Sequence, residues 1–201
     1  MGCDIHGMVE AVPQDPDRHY IRYLCPIAGV VSRSYDSFGC LFGVRNSVGF
    51  NPLFDGRGLP DEFSITGKDR VEDSGDVGSI IFHHPTYFTY SELSEVDWSE
   101  QTERLDSRLA VVDEDGNTQM KGAYISTIHD NLTEDDEVRL EDGERIELSD
   151  TNGEARYAVH KTPTRKEALS GAWQWFLFEL LPTYKDRYES HDIRVTVWFD
   201  N

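Results

Sequence analysis

Asp4 and His6 are the two residues whose types and spacing best fit chemistry, and they stand two positions apart in the opening segment MGCDIH. Apolar and polar residues alternate here, which predicts a strand. Residues two apart on a strand share a face, with their side-chain roots about 6 to 7 Å apart. A carboxylate and an imidazole so placed can share one divalent metal ion, or the carboxylate can orient the imidazole for acid–base catalysis. The alternative is a hydrogen-bonded structural pair at the end of a sheet.

A second group of candidates is the adjacent pair His83 and His84, which precedes Pro85. Neighbouring residues of a strand point to opposite faces, so only one of the two histidines is expected to face a common site. That histidine would complete the site of the N-terminal pair, and Asp200 near the end of the chain is a further candidate. Histidines at the surface or in the core are the alternative reading.

Familiar nucleotide-binding, zinc-protease, serine-hydrolase and calcium-binding motifs are absent from the sequence. The acidic stretch DEDGN at 113–117 lacks the ligand spacing of a calcium loop and reads as a hairpin tip. Cys3, Cys25 and Cys40 form an odd set without CxxC spacing, which favours free thiols in a reducing compartment. The first residues do not resemble a signal peptide, so we expect a cytoplasmic protein.

The charge of the chain is its strongest global signal. Its 201 residues include 38 Asp and Glu against 19 Lys and Arg, a net charge of −19. Such a surface is typical of a protein tuned for a saline cytoplasm, with an acidic decoy or cation store as the alternative. The acidity disfavours binding to nucleic acid, and no apolar run is long enough to span a membrane. The 38% of hydrophobic residues suffices for a real core.

The elements that must position these residues follow from the patterning of the first half. The alternation over 3–12 predicts a strand, and 19–24 predicts a second strand that forms a hairpin with it. Ser34 is a candidate N-cap for a short helix. Residues 47–76 are expected to form an ordered irregular loop, followed by a short strand at 79–83 and then by a helix-start signal at Thr89.

In the second half, residues 106–160 combine short alternating runs with acidic turns, which predicts a meander of hairpins. A capping box at Thr164 predicts a helix to about Leu181 that is stopped by Pro182, and the last ten residues predict a strand. The whole predicts a single α+β domain over 1–201, with 106–160 as an acidic, hairpin-rich insertion. Its sheet is mainly antiparallel with the first and last strands central, and two helices pack on one face.

Several segments together resemble an uncharacterised family of small proteins encoded by tailed phages, archaeal viruses and their prokaryotic hosts, which begin MGCDIH and end in a WFDN-like strand. The matching segments are MGCDIH, SYDSFGCLFGVRN, RGLPDEFS, HHPTYFTYSEL and DIRVTVWFDN, and 99–160 is unmatched. The family pattern follows its middle histidine with Ser or Thr and an apolar pair, whereas Pro85 and Tyr87 stand here. The resemblance supplies a genomic setting rather than a mechanism.

The resemblance also implies that the Asp4 and His6 pair lies beside Arg45 and Asn46 and beside the turn that starts at Arg57. Arginine next to a carboxylate and an imidazole suits an anionic ligand such as a phosphate. We therefore expect a metal- or acid–base-assisted hydrolase of a phosphate-containing small molecule or nucleotide. The alternatives are a non-catalytic viral accessory or virion protein and a module that sequesters a small ligand.

In that scheme each candidate has a role. Asp4 and His6 bind the metal or act as the base, and His83 or His84 completes the shell. Arg45 or Arg57 holds the anion. Asn46 and Asp200 are further ligand-binding residues. The protein would act in the host cytoplasm or in the virion.

Overall fold

The structure is a computed structural model that describes residues 2–15, 17–18, 20–75, 77, 82–102, 109–120, 132–148, 155–160 and 162–200. The described strands form two antiparallel four-stranded sheets, with the order β2-β1-β8-β3 in sheet A and β5-β4-β7-β6 in sheet B. The strands are β1 (Ile5–Pro13), β2 (Arg22–Pro26), β3 (Phe82–Thr89), β4 (Leu109–Val112), β5 (Thr118–Met120), β6 (Ile146–Leu148), β7 (Arg156–His160) and β8 (His191–Asp200). The α+β class and the central position of the first and last strands are confirmed.

Strands β1 and β8 pair without interruption from Ile5 opposite Phe199 to Pro13 opposite His191. This register places the start of the chain beside its end. The alternation predicted for the first strand holds, because Ile5, Val9 and Ala11 belong to the main core while the intervening residues face the other side of the sheet.

The helices α1 (Tyr35–Phe42), α6 (Gly171–Trp175) and α7 (Leu181–Arg187) contribute to the same core. Ala168 of α5 (Arg165–Ala168) packs instead in a small separate cluster with Cys40, Val48 and Phe50. Ser34 caps α1 as predicted, and Gly43 ends it in the left-handed conformation at φ 77°. Buried aromatic rings join this helical layer to the sheet, with the ring of Phe38 5.1 Å from that of Phe199 and 6.3 Å from that of Trp173.

Helix α2 (Ile65–Asp73) packs on part of the other face of sheet A, in the segment expected to be an irregular loop. Ser64 caps this helix, and its only buried residue is Gly67, which packs closely against Met8 and Glu10. The sequence did not predict this helix because it has no apolar stripe. It can lie close to the sheet because Gly67 has no side chain at the point of contact.

The C-terminal helix differs from its prediction. The capping box of Thr164 and Glu167 is present, but α5 ends after one turn because Leu169 is extended at ψ 131°. The chain then runs through α6, a π-helical turn at Phe176–Leu180, and α7. The prediction that Pro182 stops the helix was wrong, because this proline lies in the first turn of α7, where its missing N–H costs little.

Residues 106–160 contain sheet B, a small core around Leu140 and Ala158, and the helix α4 (Glu134–Glu141). The hairpin tip at 113–117 is confirmed by the bond from Gly116 N–H to Asp113 O. Where the acidic run TEDDE predicted another turn, it instead forms the capped N-terminus of α4, because acidic side chains stabilise the positive end of a helix. Most of the alternating run at 120–126 lies outside the described residues.

The remaining elements follow β3. Thr89 and Glu92 form a capping box at the start of α3 (Tyr90–Ser94), as the helix-start signal predicted. The strand predicted at 79–83 falls largely on residues outside the described set, and β3 itself begins at Phe82. Among the described helices none is long and apolar enough to cross a membrane.

Candidate functional site

The strand register brings His6 and Asp200 together at one end of sheet A. The Asp200 carboxylate accepts a hydrogen bond from the backbone N–H of Asp4 at 2.9 Å, and its second oxygen lies 3.1 Å from His6 Nε2. The Asp200 backbone N–H in turn donates to the carbonyl of Asp4 at 3.1 Å. The side chains of His6 and Asp200 are 34% and 31% exposed, so the pair is ordered by the sheet and still open to a ligand.

The surroundings keep Asp200 ionised. Partial burial would raise the pKa of this carboxyl group, but the Asp4 N–H, His6 and the positive charge of Arg33 together outweigh burial and lower the pKa. Asp200 is therefore a carboxylate at neutral pH and accepts the hydrogen bond of the imidazole.

The His6 ring is fixed by two aromatic contacts. It stacks on Trp198 with 6.4 Å between ring centroids, and Phe82 meets it edge-on at 5.5 Å. Because Nε2 faces a carboxylate, the hydrogen-bond geometry assigns the proton of the neutral ring to Nε2. Nδ1 has no hydrogen-bond partner among the described residues. Its lone pair can therefore accept a proton from a bound molecule.

Asp4 does not share a ligand position with His6, contrary to the simplest reading of their spacing. Its carboxylate binds Arg33, with Oδ1 2.8 Å from Nε and 2.6 Å from Nη2. The two donors predicted to share a metal ion are thus committed to different partners. Within the described residues, no group of three or more His, Cys, Asp or Glu side chains is arranged to hold a metal. The shared metal site of Asp4 and His6 stays a prediction.

Arg33 is the neighbour that sequence reasoning missed. It lies in the loop before α1, between Ser32 and Ser34, where the sequence has no hydrophobic periodicity that would predict a helix or a strand. Its guanidinium is held by Asp4 and is close enough to Asp200 to affect the pKa of that residue. A half-exposed cation therefore stands beside the histidine and carboxylate pair.

Arg45 contacts Tyr35 and Cys3. Its guanidinium sits 5.4 Å from the centre of the Tyr35 ring and hydrogen-bonds the buried thiol of Cys3. Burial raises the pKa of that thiol, and Arg45 opposes the rise only in part. The Tyr35 hydroxyl also accepts the backbone N–H of Cys3 at 3.2 Å, so this group stiffens the segment that carries the site.

Asn46 has local structural contacts. Its amide donates to the carbonyl of Phe50 at 2.6 Å and accepts the N–H of Gly49 at 3.1 Å. It also packs against Gly39 of α1, where any larger residue would collide with its backbone. Asn46 thus holds the loop at 46–50 in place, and its hydrogen bonds are made within that loop rather than to His6.

Arg57 lies in a loop and contacts β3 at Tyr87, away from the end of the strand that lies next to Asp200. It binds Glu92 at 2.7 Å and donates to the carbonyl of Tyr87 at 3.3 Å. Tyr87 pairs with Thr196, whereas the candidate site lies next to Asp200, four residues along β8. Arg57 therefore joins its loop to α3 and is not assembled with the other candidates.

The histidines of β3 occupy a bulge in the pairing with β8. His83 pairs with Phe199, and His84 adopts φ 51°, which turns its ring back until the two Nδ1 atoms are 2.6 Å apart. Paired residues of a sheet share a face, so His83 lies on the face of Phe199 while His6 lies on the face of Trp198. His6 and His83 therefore lie on opposite faces of sheet A.

No protein-family model matches the chain, and the comparisons with curated proteins and with solved structures likewise find no match. The resemblance to the MGCDIH family therefore remains an expectation carried by short motifs. The candidate site must be argued from its own geometry.

Proposed function

We propose that His6 and Asp200 form a general acid–base site that hydrolyses a phosphate-containing small molecule or nucleotide. The observation that carries the proposal is the 3.1 Å contact between His6 Nε2 and the ionised Asp200, which leaves Nδ1 as the basic nitrogen of a partly exposed ring. Arg33 beside the pair suits the negative charge of a phosphate ester. The acidic composition supports a saline host cytoplasm as the place of action.

In the proposed reaction His6 acts first as a base and then as an acid, while Asp200 and Arg33 each have one role. Nδ1 of His6 accepts a proton from a water molecule as the water oxygen forms a bond to phosphorus. Asp200 stabilises the resulting imidazolium and holds the ring in place. Arg33 binds non-bridging phosphate oxygens, on which negative charge remains high. As the bond from phosphorus to the leaving oxygen breaks, the imidazolium returns the proton to that oxygen.

The test is hydrolysis of p-nitrophenyl phosphate, bis-p-nitrophenyl phosphate and a panel of nucleotides. We expect His6→Gln and Asp200→Asn to lower kcat/KM by about 10²- to 10⁴-fold, the usual contribution of general acid–base catalysis. His160→Gln, on β7 of sheet B, is the matched control and should retain full activity.

Three outcomes decide between the readings. Activity that is insensitive to chelation and lost in both site variants supports the proposed site. Activity that requires an added divalent ion and is lost in Asp4→Asn would restore the shared metal site. Binding of these compounds without turnover would overturn the hydrolase proposal in favour of a sequestering module.

A further inference from the structure

A concave surface lies at the opposite end of sheet A from His6, between β2 and the first turn of α2. It is a cleft of ≈ 250 Å³, near the lower end of the volumes found for small-molecule sites. Its lining includes Tyr20, Arg22, Tyr23, Ile65, Thr66 and Tyr188. Arg22 of β2 lies opposite Ala11 of β1. Ala11 is five residues from His6, which corresponds to roughly 16 Å along the strand. The cleft is therefore separate from the acid–base site.

Two large hydrophobic side chains are exposed at the mouth of the cleft. Tyr20 and Ile65 at its mouth are 65% and 79% exposed, and they are two of the four exposed large hydrophobic residues in the described part of the chain. Deeper in, the Tyr23 hydroxyl is buried near Arg70, and within the described part of the chain it makes no hydrogen bond of standard geometry. Flat aromatic faces with a hydroxyl group among them suit a planar ligand that carries hydrogen-bonding atoms.

The charge of the cleft is opposite to that of the chain. Arg22 lies over the Tyr20 ring at 5.4 Å, and Arg70 lies over the Tyr23 ring at 5.1 Å. Among the described residues neither arginine forms an ion pair with a carboxylate. Nearby, burial and the charges of Arg22, Arg18 and Lys185 lower the pKa of His191, as expected in a positive field.

The N-terminus of α2 does not supply this positive charge. Ser64, its N-cap, donates both its backbone N–H and its hydroxyl to the buried Glu10 carboxylate, at 2.9 and 2.7 Å. The helix dipole is thus already met by a carboxylate. The arginines remain as the groups that can attract an anion to this corner of a chain with net charge −19.

We infer that the cleft binds a small aromatic anion of the nucleoside monophosphate class, with the base against the tyrosine rings and the phosphate on Arg22. The volume admits one planar ring system with an anionic group and is too small for a polymer. The described residues of the lining include Arg22, Ser64, Thr66 and three tyrosines but no His, Asp or Glu, a composition that suits binding of an anion. Binding in this cleft does not depend on the hydrolysis proposed for His6 and Asp200.

The experiment is calorimetric titration of the full chain with AMP, with adenosine and inorganic phosphate as separate arms. We expect AMP to bind, and each fragment to bind at least about tenfold more weakly, because stacking and charge act together only in the whole ligand. Arg22→Gln and Tyr20→Ala should each weaken AMP binding by about tenfold or more. Arg139→Gln, an exposed arginine on α4, is the control that should bind AMP normally.

His6→Gln distinguishes this inference from the proposed hydrolysis, because the cleft should bind AMP unchanged in that variant. Failure of AMP to bind the native chain at millimolar concentration would overturn the inference. Binding that survives both cleft variants, or that is lost in His6→Gln, would overturn it equally. Thermal unfolding of each variant verifies that it is folded.

Discussion

At the scale of single residues, the Asp200 carboxylate links three parts of the candidate site. It accepts hydrogen bonds from the Asp4 N–H and from His6, and it is attracted by the positive charge of Arg33. These interactions lower its pKa despite partial burial. A carboxyl group with a lowered pKa binds fewer protons in the folded state than in the unfolded state. Its contribution to stability is therefore present above the ordinary value of 3.8 and is lost as the pH falls through the folded pKa.

This predicts a pH-dependent effect of Asp200→Asn. The variant should lose stability relative to the native chain at pH 7, and the difference should shrink as the pH falls below about 4 and Asp200 of the folded native chain becomes protonated. Urea unfolding midpoints between pH 7 and 3 measure the effect. Asp69→Asn, an exposed aspartate of α2, should follow the native curve. A difference that stays constant with pH would contradict the account.

A second residue-scale prediction concerns the buried ion pair of Glu10 and Arg194. Their 2.7 Å contact is almost completely buried, and Arg194 also donates to the carbonyl of Glu62 at 2.6 Å. Glu10→Gln leaves a buried cation without its counter-charge and should lower the free energy of unfolding by about 3 kcal/mol or more. The exposed pair of Lys68 and Glu72 is the matched comparison, since Glu72→Gln should cost under about 1 kcal/mol.

Adding Arg194→Met to Glu10→Gln should recover part of the loss, because the unpaired charge is then gone. Denaturant unfolding of the four chains measures the cycle. A Glu10→Gln variant as stable as the native chain would contradict the role assigned to the pair.

At the scale of elements, Gly7 permits the pairing of the two central strands. It has φ 143°, and a Cβ atom at this position would overlap the carbonyl oxygen of Thr196 on β8. Gly7→Ala should therefore lower the free energy of unfolding by at least about 2 kcal/mol. Gly171→Ala is the control, because Gly171 begins α6 with open space around it and should tolerate alanine. Equal stability of the two variants would contradict the close approach.

The elements that the sequence predicted well are those whose signals are local. Ser34, Thr89 and Thr164 each cap the helix expected after them, and the alternation of β1 and β8 matches their two faces. The elements missed depend on tertiary packing. Helix α2 is stabilised by a glycine that lies against the sheet, and Pro182 continues a helix that first widens through a π turn.

The candidate site was predictable to a similar extent. The strand pattern at both ends of the chain singled out His6 and Asp200, but it could not reveal which carboxylate the imidazole meets. That choice follows from the antiparallel register, which sets Ile5 opposite Phe199. Arg33 reaches the site from a loop, and its bond to Asp4 joins residues that no local pattern relates.

At the scale of the whole molecule, the segment that carries sheet B begins and ends at one point. Gln101 pairs with Thr164, and Thr102 N–H donates to the carbonyl of Pro163 at 3.4 Å. Sheet B has its own small core, and among the described residues the members of this core differ from those of the core of sheet A. These contacts fit the predicted insertion, although its status as an insertion remains a prediction.

Replacing residues 103–162 with a short Gly-Ser linker should therefore leave a soluble protein that unfolds cooperatively. The two junctions are bridged neighbours, so the linker has only the width of one strand pair to cross. The ion pair of Arg165 with Glu100 lies outside the deleted segment and should persist. Circular dichroism during thermal unfolding measures the outcome. An aggregated or non-cooperative product would show that the segment belongs to the main fold.

The most direct test of the central claim is the tautomer of His6, read from two-bond ¹H–¹⁵N correlations of the labelled protein. We expect the neutral ring to carry its proton on Nε2, with Nδ1 unprotonated, and we expect Asp200→Asn to remove this preference. A neutral ring protonated on Nδ1 would contradict the account, because the nitrogen assigned as the base would then be a donor.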